Sequence, residues 1–161
     1  MSISTNIKII DYDDKYALDA VKMWRDSKEQ ALGIKDVHSF DDHLGFLRTK
    51  LIKENKVYLA IDERTDNVVG IMAINGIQLN QLYIHVGYQR MGIGSRLLQM
   101  AKELSPRKLQ LFTFVVNKGA QAFYQKHGFT IIGRGYENEE NLPDLRYEWV
   151  ENSRLGNAIR S

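Results

Sequence analysis

Two kinds of apolar spacing alternate along the chain, and together they predict a mixed α/β fold. Helical spacing begins after Asp13 or Asp14, after Ser39, at Gly92 and at Lys118. Extended apolar runs predict seven strands, at residues 3–10, 56–62, 68–74, 81–86, 108–116, 129–136 and 145–150. The predicted order of elements is therefore β-α-α-β-β-β-α-β-α-β-β.

The connections suit a single domain. A length of 161 residues is sufficient for one core, and we assign residues 1–161 to one domain. The polar turn 63–67 predicts a hairpin between the second and third strands. The fourth strand, the helix from Gly92 and the fifth strand form a βαβ unit, so those two strands should be parallel. Residues 151–161 are polar, and we expect them to fray.

Composition narrows the class of protein. The chain has no cysteine, so it has no disulfide, no thiolate metal site and no cysteine nucleophile, and we assign no metal site. A net charge of +2, with scattered Lys and Arg, does not favour nucleic acid as a partner. The start of the chain lacks the basic and apolar segments of a signal peptide, and no apolar run is long enough to span a bilayer. We therefore expect a cytoplasmic protein that binds no membrane.

Residues 89–94, Gln-Arg-Met-Gly-Ile-Gly, lie where the fourth strand gives way to a helix. A turn at the start of a helix presents unpaired backbone N–H groups at the positive end of the helix dipole. Arg90 and Arg96 flank this turn, so the segment predicts an anion site. The pyrophosphate of a nucleotide-like cofactor is the anion that suits it best.

Two nucleotide-binding motifs do not fit this segment. A dinucleotide fingerprint needs a third glycine where the chain has Leu97, and no acidic ribose partner follows at the usual distance. A phosphate loop needs Gly-Lys-Ser/Thr where Gly92 is followed by Ile93 and Gly94. The pattern Q/R-x-x-G-x-G does fit, and it resembles the acetyl-CoA pyrophosphate loop of the GNAT superfamily (GCN5-related N-acetyltransferases). A helix cap that needs a flexible backbone is the competing interpretation.

A second segment resembles the same family. Residues 117–129 read Asn-Lys-Gly-Ala-Gln-Ala-Phe-Tyr-Gln-Lys-His-Gly-Phe, which is similar to the family pattern N-x-x-A-x-x-F-Y-x-x-x-G-F. Asn117 is a good N-cap, and Gly128 is suited to end the helix in a left-handed conformation. Tyr124 alone would suit a core position. Two motifs in the order typical of the family favour the family instead.

The resemblance covers nearly the whole chain and implies a GNAT fold. This α/β fold has a mixed, mostly antiparallel sheet with flanking helices, and its parallel fourth and fifth strands splay apart at their carboxyl ends. Acetyl-CoA is the implied cosubstrate, with its pantetheine arm in that gap on the backbone of Ile84 and Val86. Its pyrophosphate is expected on the amides of Gln89, Arg90, Met91, Gly92, Ile93, Gly94 and Ser95.

Two further cofactor contacts follow from the resemblance. Asn117 is expected to contact the cofactor, and Lys126 is expected to lie near its phosphates. A helix cap and a solvated lysine explain these two residues equally well.

The implied reaction is acetyl transfer to a primary amine by direct attack on the thioester. In the family, the tyrosine at the position of Tyr124 protonates the departing thiolate, and a phenol with a pKa of about 10 is neutral at pH 7. An alkyl ammonium has a pKa of about 10.4, so its deprotonation adds roughly 4–5 kcal/mol to the barrier unless a base assists. Some members carry that base where this chain has Gln78 and Asn80. His85 and Glu148 remain open, and no base is assigned.

The acceptor is a small-molecule amine or an amine of a peptide or protein. Acidic residues between the last two strands would attract a cationic amine, although a solvated loop explains them as well; they are Glu137, Glu139, Glu140 and Asp144. Trp24, Phe46 and Tyr83 would line an acceptor pocket, with core packing as the alternative.

Two other classes of function stay open at this point. One is a non-catalytic acyl-CoA-binding or regulatory module with the same fold, and the other is a nucleotide-binding domain of another kind. The oligomeric state is also open, with a homodimer among the alternatives.

Overall fold

The computed structural model describes residues 6–151 of the chain. Its strands are β1 (Ile7–Asp11), β2 (Lys56–Asp62), β3 (Asn67–Asn75), β4 (Gln78–Ile84), β5 (Lys108–Phe114), β6 (Thr130–Gly135) and β7 (Asp144–Val150). Its helices are α1 (Ala17–Leu32), α2 (Phe40–Phe46), α3 (Ile52–Glu54), α4 (Ile93–Leu104) and α5 (Lys118–Lys126). A π-helical stretch, Leu47–Leu51, joins α2 to α3, and apart from this subdivision the order of elements is the one predicted.

The strands form one mixed sheet in the order β1-β2-β3-β4-β5-β7-β6. Adjacent strands are antiparallel, except for β4 and β5, which run parallel. The register of this parallel pair is limited to Gln78 opposite Gln110, near the start of both strands. Beyond that point the two strands separate, which confirms the predicted mixed sheet with a splayed parallel pair.

Helices cover both faces of the sheet, so the central strands are buried on both sides. Successive side chains of a strand point to opposite faces. Leu59 of β2 accordingly belongs to the core under α1 and α2, whereas its neighbour Ala60 belongs to the core under α4 and α5. This two-sided burial explains why 57–61 and 68–74 read as continuous apolar runs instead of alternating ones.

Local side chains set several of the element boundaries. Ser39 Oγ accepts a hydrogen bond from the Asp42 N–H at 3.1 Å, and Asp13 caps the short turn that leads into α1. Asn117 caps α5 by accepting from the Ala120 N–H at 3.1 Å, and Gly128 follows the helix with φ of +90°. These caps confirm the predicted helix starts and the predicted stop.

The predicted bounds of the fourth strand, 81–86, were wrong at both ends. In the structure β4 begins at Gln78 and ends at Ile84. His85 Nδ1 accepts a hydrogen bond from the Gly87 N–H at 2.9 Å, and the chain enters a 3₁₀ turn, Val86–Tyr88. The predicted fifth strand also extended too far, since Asn117 N–H bonds to the Phe114 carbonyl as the chain turns. The first part of the predicted strand 3–10 and the expected fraying of 152–161 lie outside the described residues.

None of the helices within residues 6–151 combines the length and the apolar character needed to cross a bilayer.

We expect Leu97→Ala to destabilise the domain by about 2–5 kcal/mol, because Leu97 is 0% exposed and packs in the core between α4 and the sheet. The measurement is urea unfolding at equilibrium. Leu18→Ala is the matched control, because Leu18 is 59% exposed and its truncation should change the free energy of unfolding by less than about 0.5 kcal/mol. Equal losses in the two variants would contradict the packing of α4 described above.

Candidate active site

The separation of β4 and β5 opens a cavity of about 690 Å³ between the end of β4, the start of α4 and the length of α5. Most of the residues predicted for the site line this cavity. They are Ile84, Gln89, Arg90, Gly92, Gly94, Ser95, Asn117 and Tyr124. The structure thus brings together two segments that are separated by more than 20 residues in the sequence.

Three predicted residues do not line the cavity. Val86 lies in the 3₁₀ turn and not on β4, so it is not in the strand position from which a backbone contact was expected. Met91 is exposed on the loop, whereas Ile93 is 1% exposed and packs in the core. The contacts expected of Met91 and Ile93 involve their backbone N–H groups and not their side chains. The positions of the two side chains therefore do not test these contacts, which stay predictions.

Residues 89–94, which we call the glycine loop, lie directly before and at the start of α4 and have the geometry of an anion site. Gly92 is the N-cap of α4, with φ of +87°, and no side chain within residues 6–151 caps this helix. The first N–H groups of a helix have no partner within it, so those of Ile93, Gly94 and Ser95 are available. Arg90 has φ of +66°, a left-handed conformation that is uncommon outside glycine and is often found at functional sites.

The charges that line the cavity have one sign. Arg90 comes from the glycine loop, and Lys118 and Lys126 come from the two ends of α5. No Asp or Glu within the described residues 6–151 lines the cavity. A cleft lined by cations and by a helix N-terminus raises the local concentration of anions, so the cavity favours an anionic ligand.

Arg96, expected to flank the same loop, points elsewhere. Its guanidinium donates a hydrogen bond to the Ile7 carbonyl on β1 at 2.9 Å. Positions three and four residues apart share one side of a helix, and Ile93 and Leu97 are both buried against the sheet. Arg96 therefore reaches β1 and does not line the cavity.

Tyr124 is buried and also lines the cavity. Its side chain is 7% exposed and packs edge-on against Phe129, with ring centroids 5.3 Å apart. None of the described residues hydrogen-bonds its hydroxyl. Burial, and to a lesser extent the nearby phenol of Tyr83, raises the pKa of Tyr124. The phenol is therefore protonated at neutral pH and can donate to a ligand in the cavity.

The carbonyl of Ile84, at the end of β4, is already hydrogen-bonded by side chains. Ser27 Oγ of α1 donates to it at 2.8 Å, and Gln89 Nε2 donates to it at 3.1 Å. Gln89 also lies 3.4 Å from the amide oxygen of Gln30. A ligand that bonds to this carbonyl would therefore compete with Gln89.

The structure brings none of the base candidates to the cavity. His85 turns its Nδ1 toward the Gly87 N–H, and Glu148 accepts from Gln110 Nε2 at 2.7 Å near the start of β5. Gln78 donates to Gln110 at 3.2 Å, and Asn80 donates to Asn55 at 2.8 Å. The base therefore stays unassigned.

The acidic loop between β6 and β7 folds onto α1 and the loop that follows it. Glu140 pairs with Lys28 at 2.7 Å, and Glu139 contacts His38 at 2.6 Å. Beside them lies Asp36, whose side chain is 0% exposed. Two of the four acids expected to attract an amine are thus in contact with basic side chains of the same chain.

The aromatic residues predicted for an acceptor pocket divide into two groups. Trp24 is buried and meets the imidazole of His43 edge-on, with ring centroids 4.1 Å apart. Phe46 and Tyr83 pack around it, but of the three predicted residues only Tyr83 lines the cavity. Burial, and to a lesser extent the charges of Glu140 and Asp36, raise the pKa of Tyr83.

Comparison with known proteins agrees with this geometry. Residues 53–131 match the family model of the acetyltransferase (GNAT) domain. The match contains the glycine loop, α4, α5 and Tyr124.

Two curated relatives have similar sequences. The chain is 31% identical over 94 residues to peptidyl-lysine N-acetyltransferase YjaB of Escherichia coli (strain K12), over 57% of this chain and 61% of that protein. It is 27% identical over 125 residues to the YjaB of Salmonella typhimurium, over 76% of this chain and 83% of the relative. The chain thus spans about three fifths of the length of the Escherichia coli relative in that alignment.

Solved structures share the fold over most of their length. The apo form of Escherichia coli YjaB in solution has a TM-score of 0.74 at 24% identity, covering 89% of this chain and 97% of that one. The PaiA N-acetyltransferase of Thermoplasma acidophilum, solved in complex with coenzyme A, has a TM-score of 0.68 at 18% identity, covering 90% and 99%.

The buried imidazole beside the acidic loop predicts a pH-dependent loss of stability. Burial lowers the pKa of His43 to about 4, against about 6.5 in an unfolded chain. As the pH falls below about 6.5, the unfolded state binds a proton that the folded state does not, so stability is lost until the pH reaches about 4. Between pH 7 and pH 5 this loss is on the order of 2 kcal/mol.

Urea unfolding at pH 7 and pH 5 measures this contribution. We expect His43→Gln to lose less stability than the parent protein over this interval. His38→Gln, at an exposed position, is the matched control for the loss of an imidazole. Identical pH dependence in the parent and in His43→Gln would show that His43 is not buried in its neutral form.

Proposed function

We propose, because the chain belongs to the GNAT superfamily, that it is an acetyl-CoA-dependent N-acetyltransferase that transfers the acetyl group to a primary amine. The amine attacks the thioester directly, and no covalent intermediate on the protein is needed. The cytoplasmic location and the homodimer considered above stay predictions.

The main support for this proposal is that the glycine loop and Tyr124 line the same cavity. Coenzyme A has a pyrophosphate and a 3′-phosphate, and the cavity is lined by Arg90, Lys118 and Lys126. The free N–H groups at the start of α4 suit the pyrophosphate. The loop and Tyr124 line one cavity, so a cofactor that binds its phosphates at the loop can extend its pantetheine arm toward Tyr124.

Tyr124 supplies the proton that the leaving thiolate needs. Attack of the amine on the carbonyl carbon forms a tetrahedral oxyanion, and collapse of this species breaks the carbon–sulfur bond. The raised pKa of Tyr124 keeps the phenol protonated until the sulfur accepts the proton. A backbone N–H at the end of β4 is the proposed donor to the oxyanion.

For the acceptor we propose the side-chain amine of a lysine in a peptide or protein. This substrate class comes from the YjaB relatives, which are named peptidyl-lysine N-acetyltransferases. A panel of lysine peptides and small amines tests it directly. Transfer to small amines alone would overturn the peptide proposal and leave the acetyltransferase proposal intact.

One observation favours a second candidate function, a non-catalytic acyl-CoA-binding module. No carboxylate among the described residues lines the cavity, so the attacking amine has no Asp or Glu there to act as its general base. Turnover by the purified protein decides between the two.

Calorimetric titration with acetyl-CoA and free CoA is the first test, with NAD and ATP as control ligands. We expect selective micromolar binding of the two CoA species. Gly92→Asp should abolish it, because the new carboxylate would face the phosphates; a Cβ at Gly92 meets no atom within 4 Å, so the side chain has room.

Gly76→Asp is the matched control for this titration. Gly76 also has a positive φ, +57°, and open space around its Cβ, but it lies in the turn between β3 and β4, outside the cavity lining. Both variants place an aspartate at a residue with positive φ and add the same charge. Retained CoA affinity in Gly92→Asp would mean that the loop is only a helix cap.

Removing the Tyr124 hydroxyl tests catalysis separately from binding. We expect Tyr124→Phe to lower kcat by about 100-fold or more, with little change in the Kd for acetyl-CoA, because a general acid contributes to the chemical step alone. Tyr58→Phe is the control, since Tyr58 is a buried tyrosine in the same core that does not line the cavity. An unchanged kcat across the pH range would remove Tyr124 from the mechanism.

A further inference from the structure

We propose that His127 is a phosphate ligand of the cofactor, and that its imidazole takes up a proton when the cofactor binds. This inference rests on the proposed function and assigns a role to a residue that the family motif leaves variable. The ligand chemistry is a phosphate group of CoA, either the pyrophosphate or the 3′-phosphate.

The position of His127 places its ring at the anion site. It follows the last residue of α5, and its side chain lines the same cavity as the glycine loop. Its Nε2 lies 3.2 Å from Ser95 Oγ in the first turn of α4. The imidazole edge and the free N–H groups of that turn therefore border the same space.

The packing around the ring holds it there. Its centroid is 4.6 Å from that of Phe123, and a Cβ at Gly94 would lie 3.3 Å from Phe123 Cζ. Phe123 thus fills the narrow contact between α5 and the start of α4. The carbonyl of His127 accepts from Lys102 Nζ at 2.8 Å, which fixes the backbone to α4 as well.

Among the residues that the structure describes, the charged groups around the ring are basic. Lys102 of α4 and Lys126 of α5 are the charged groups that act on it, and no carboxylate of the described residues pairs with it. Burial, followed by these two lysines, lowers the pKa of His127. The free protein therefore has a neutral imidazole at pH 7, which suits acceptance of the Ser95 hydroxyl proton.

A bound phosphate reverses this electrostatic balance. An opposite charge at hydrogen-bond distance favours the charged form of a titratable group, so the phosphate raises the pKa of the imidazole. Binding then takes a proton from solution near neutral pH. By linkage, affinity for CoA must rise as the pH falls from the pKa of the bound state to that of the free state.

The experiment measures proton uptake directly. CoA is titrated into the protein at pH 7.0 in two buffers of different ionisation enthalpy, and the difference in apparent enthalpy gives the number of protons bound. We expect the parent protein to take up on the order of half a proton more than His127→Gln. We also expect its affinity at pH 6.5 to exceed that at pH 8 by about threefold to tenfold, a dependence that His127→Gln loses.

Two further variants separate a phosphate ligand from a structural residue. His127→Lys supplies a fixed cation, so it should retain CoA affinity near that of the parent at pH 7 but lose the additional proton uptake. A residue needed only for packing would not be rescued by lysine. His38→Gln, far from the cavity on an exposed loop, should take up as many protons as the parent.

Dephospho-CoA distinguishes the two phosphate positions. Retained proton uptake with this ligand assigns His127 to the pyrophosphate, and lost uptake assigns it to the 3′-phosphate. If the parent binds CoA but His127→Gln shows the same affinity and the same proton uptake, the inference is overturned and the proposed function stands. If the parent binds no CoA species, both are overturned.

Discussion

The single ladder pairing found between β4 and β5 in the described part of the chain is the constraint on which the rest of the site depends. Gln78 and Gln110 pair near the start of both strands, and side-chain bonds from Gln110 to Glu148 and Arg146 join this point to β7. Past it the strands diverge, so the facing backbone groups lose their ladder partners. Buried backbone polar groups need other partners, and the cavity that results is where a ligand can supply them.

The two faces of the sheet carry different charges around the site. On one side of the sheet, α4 and α5 meet across Gly94 and Phe123 and present a lining without acids. On the other side, the loop between β6 and β7 brings Glu140 onto Lys28 of α1 beside the buried Asp36. Tyr83 lies between the two environments, since it lines the cavity while its pKa responds to both carboxylates. The phosphate end and the acidic end of the site are therefore electrostatically distinct.

What the sequence predicts well are features carried by local chemistry. The caps at Ser39 and Asn117 bind the backbone three residues on, and the glycine loop comprises six residues. Each can therefore be recognised in a short stretch of sequence. The end of β4 could not be predicted from the sequence. The His85 side chain accepts a hydrogen bond from the backbone two residues on, and this contact produces no periodic pattern in the sequence. The pairing of Glu140 with Lys28 spans 112 residues and depends on how the loop between β6 and β7 folds onto α1. The splay itself came from the family resemblance, since spacing predicts parallel strands but not their separation.

The acid-free lining that suits the cofactor also bears on how the amine loses its proton. Within the described residues the cavity offers no carboxylate base. Desolvation disfavours an ammonium ion, so it lowers the pKa of an amine that enters. Each unit of that shift removes about 1.4 kcal/mol from the roughly 4–5 kcal/mol cost of deprotonation. Desolvation in the cavity therefore performs part of the work of a base, and the amine releases its proton to water.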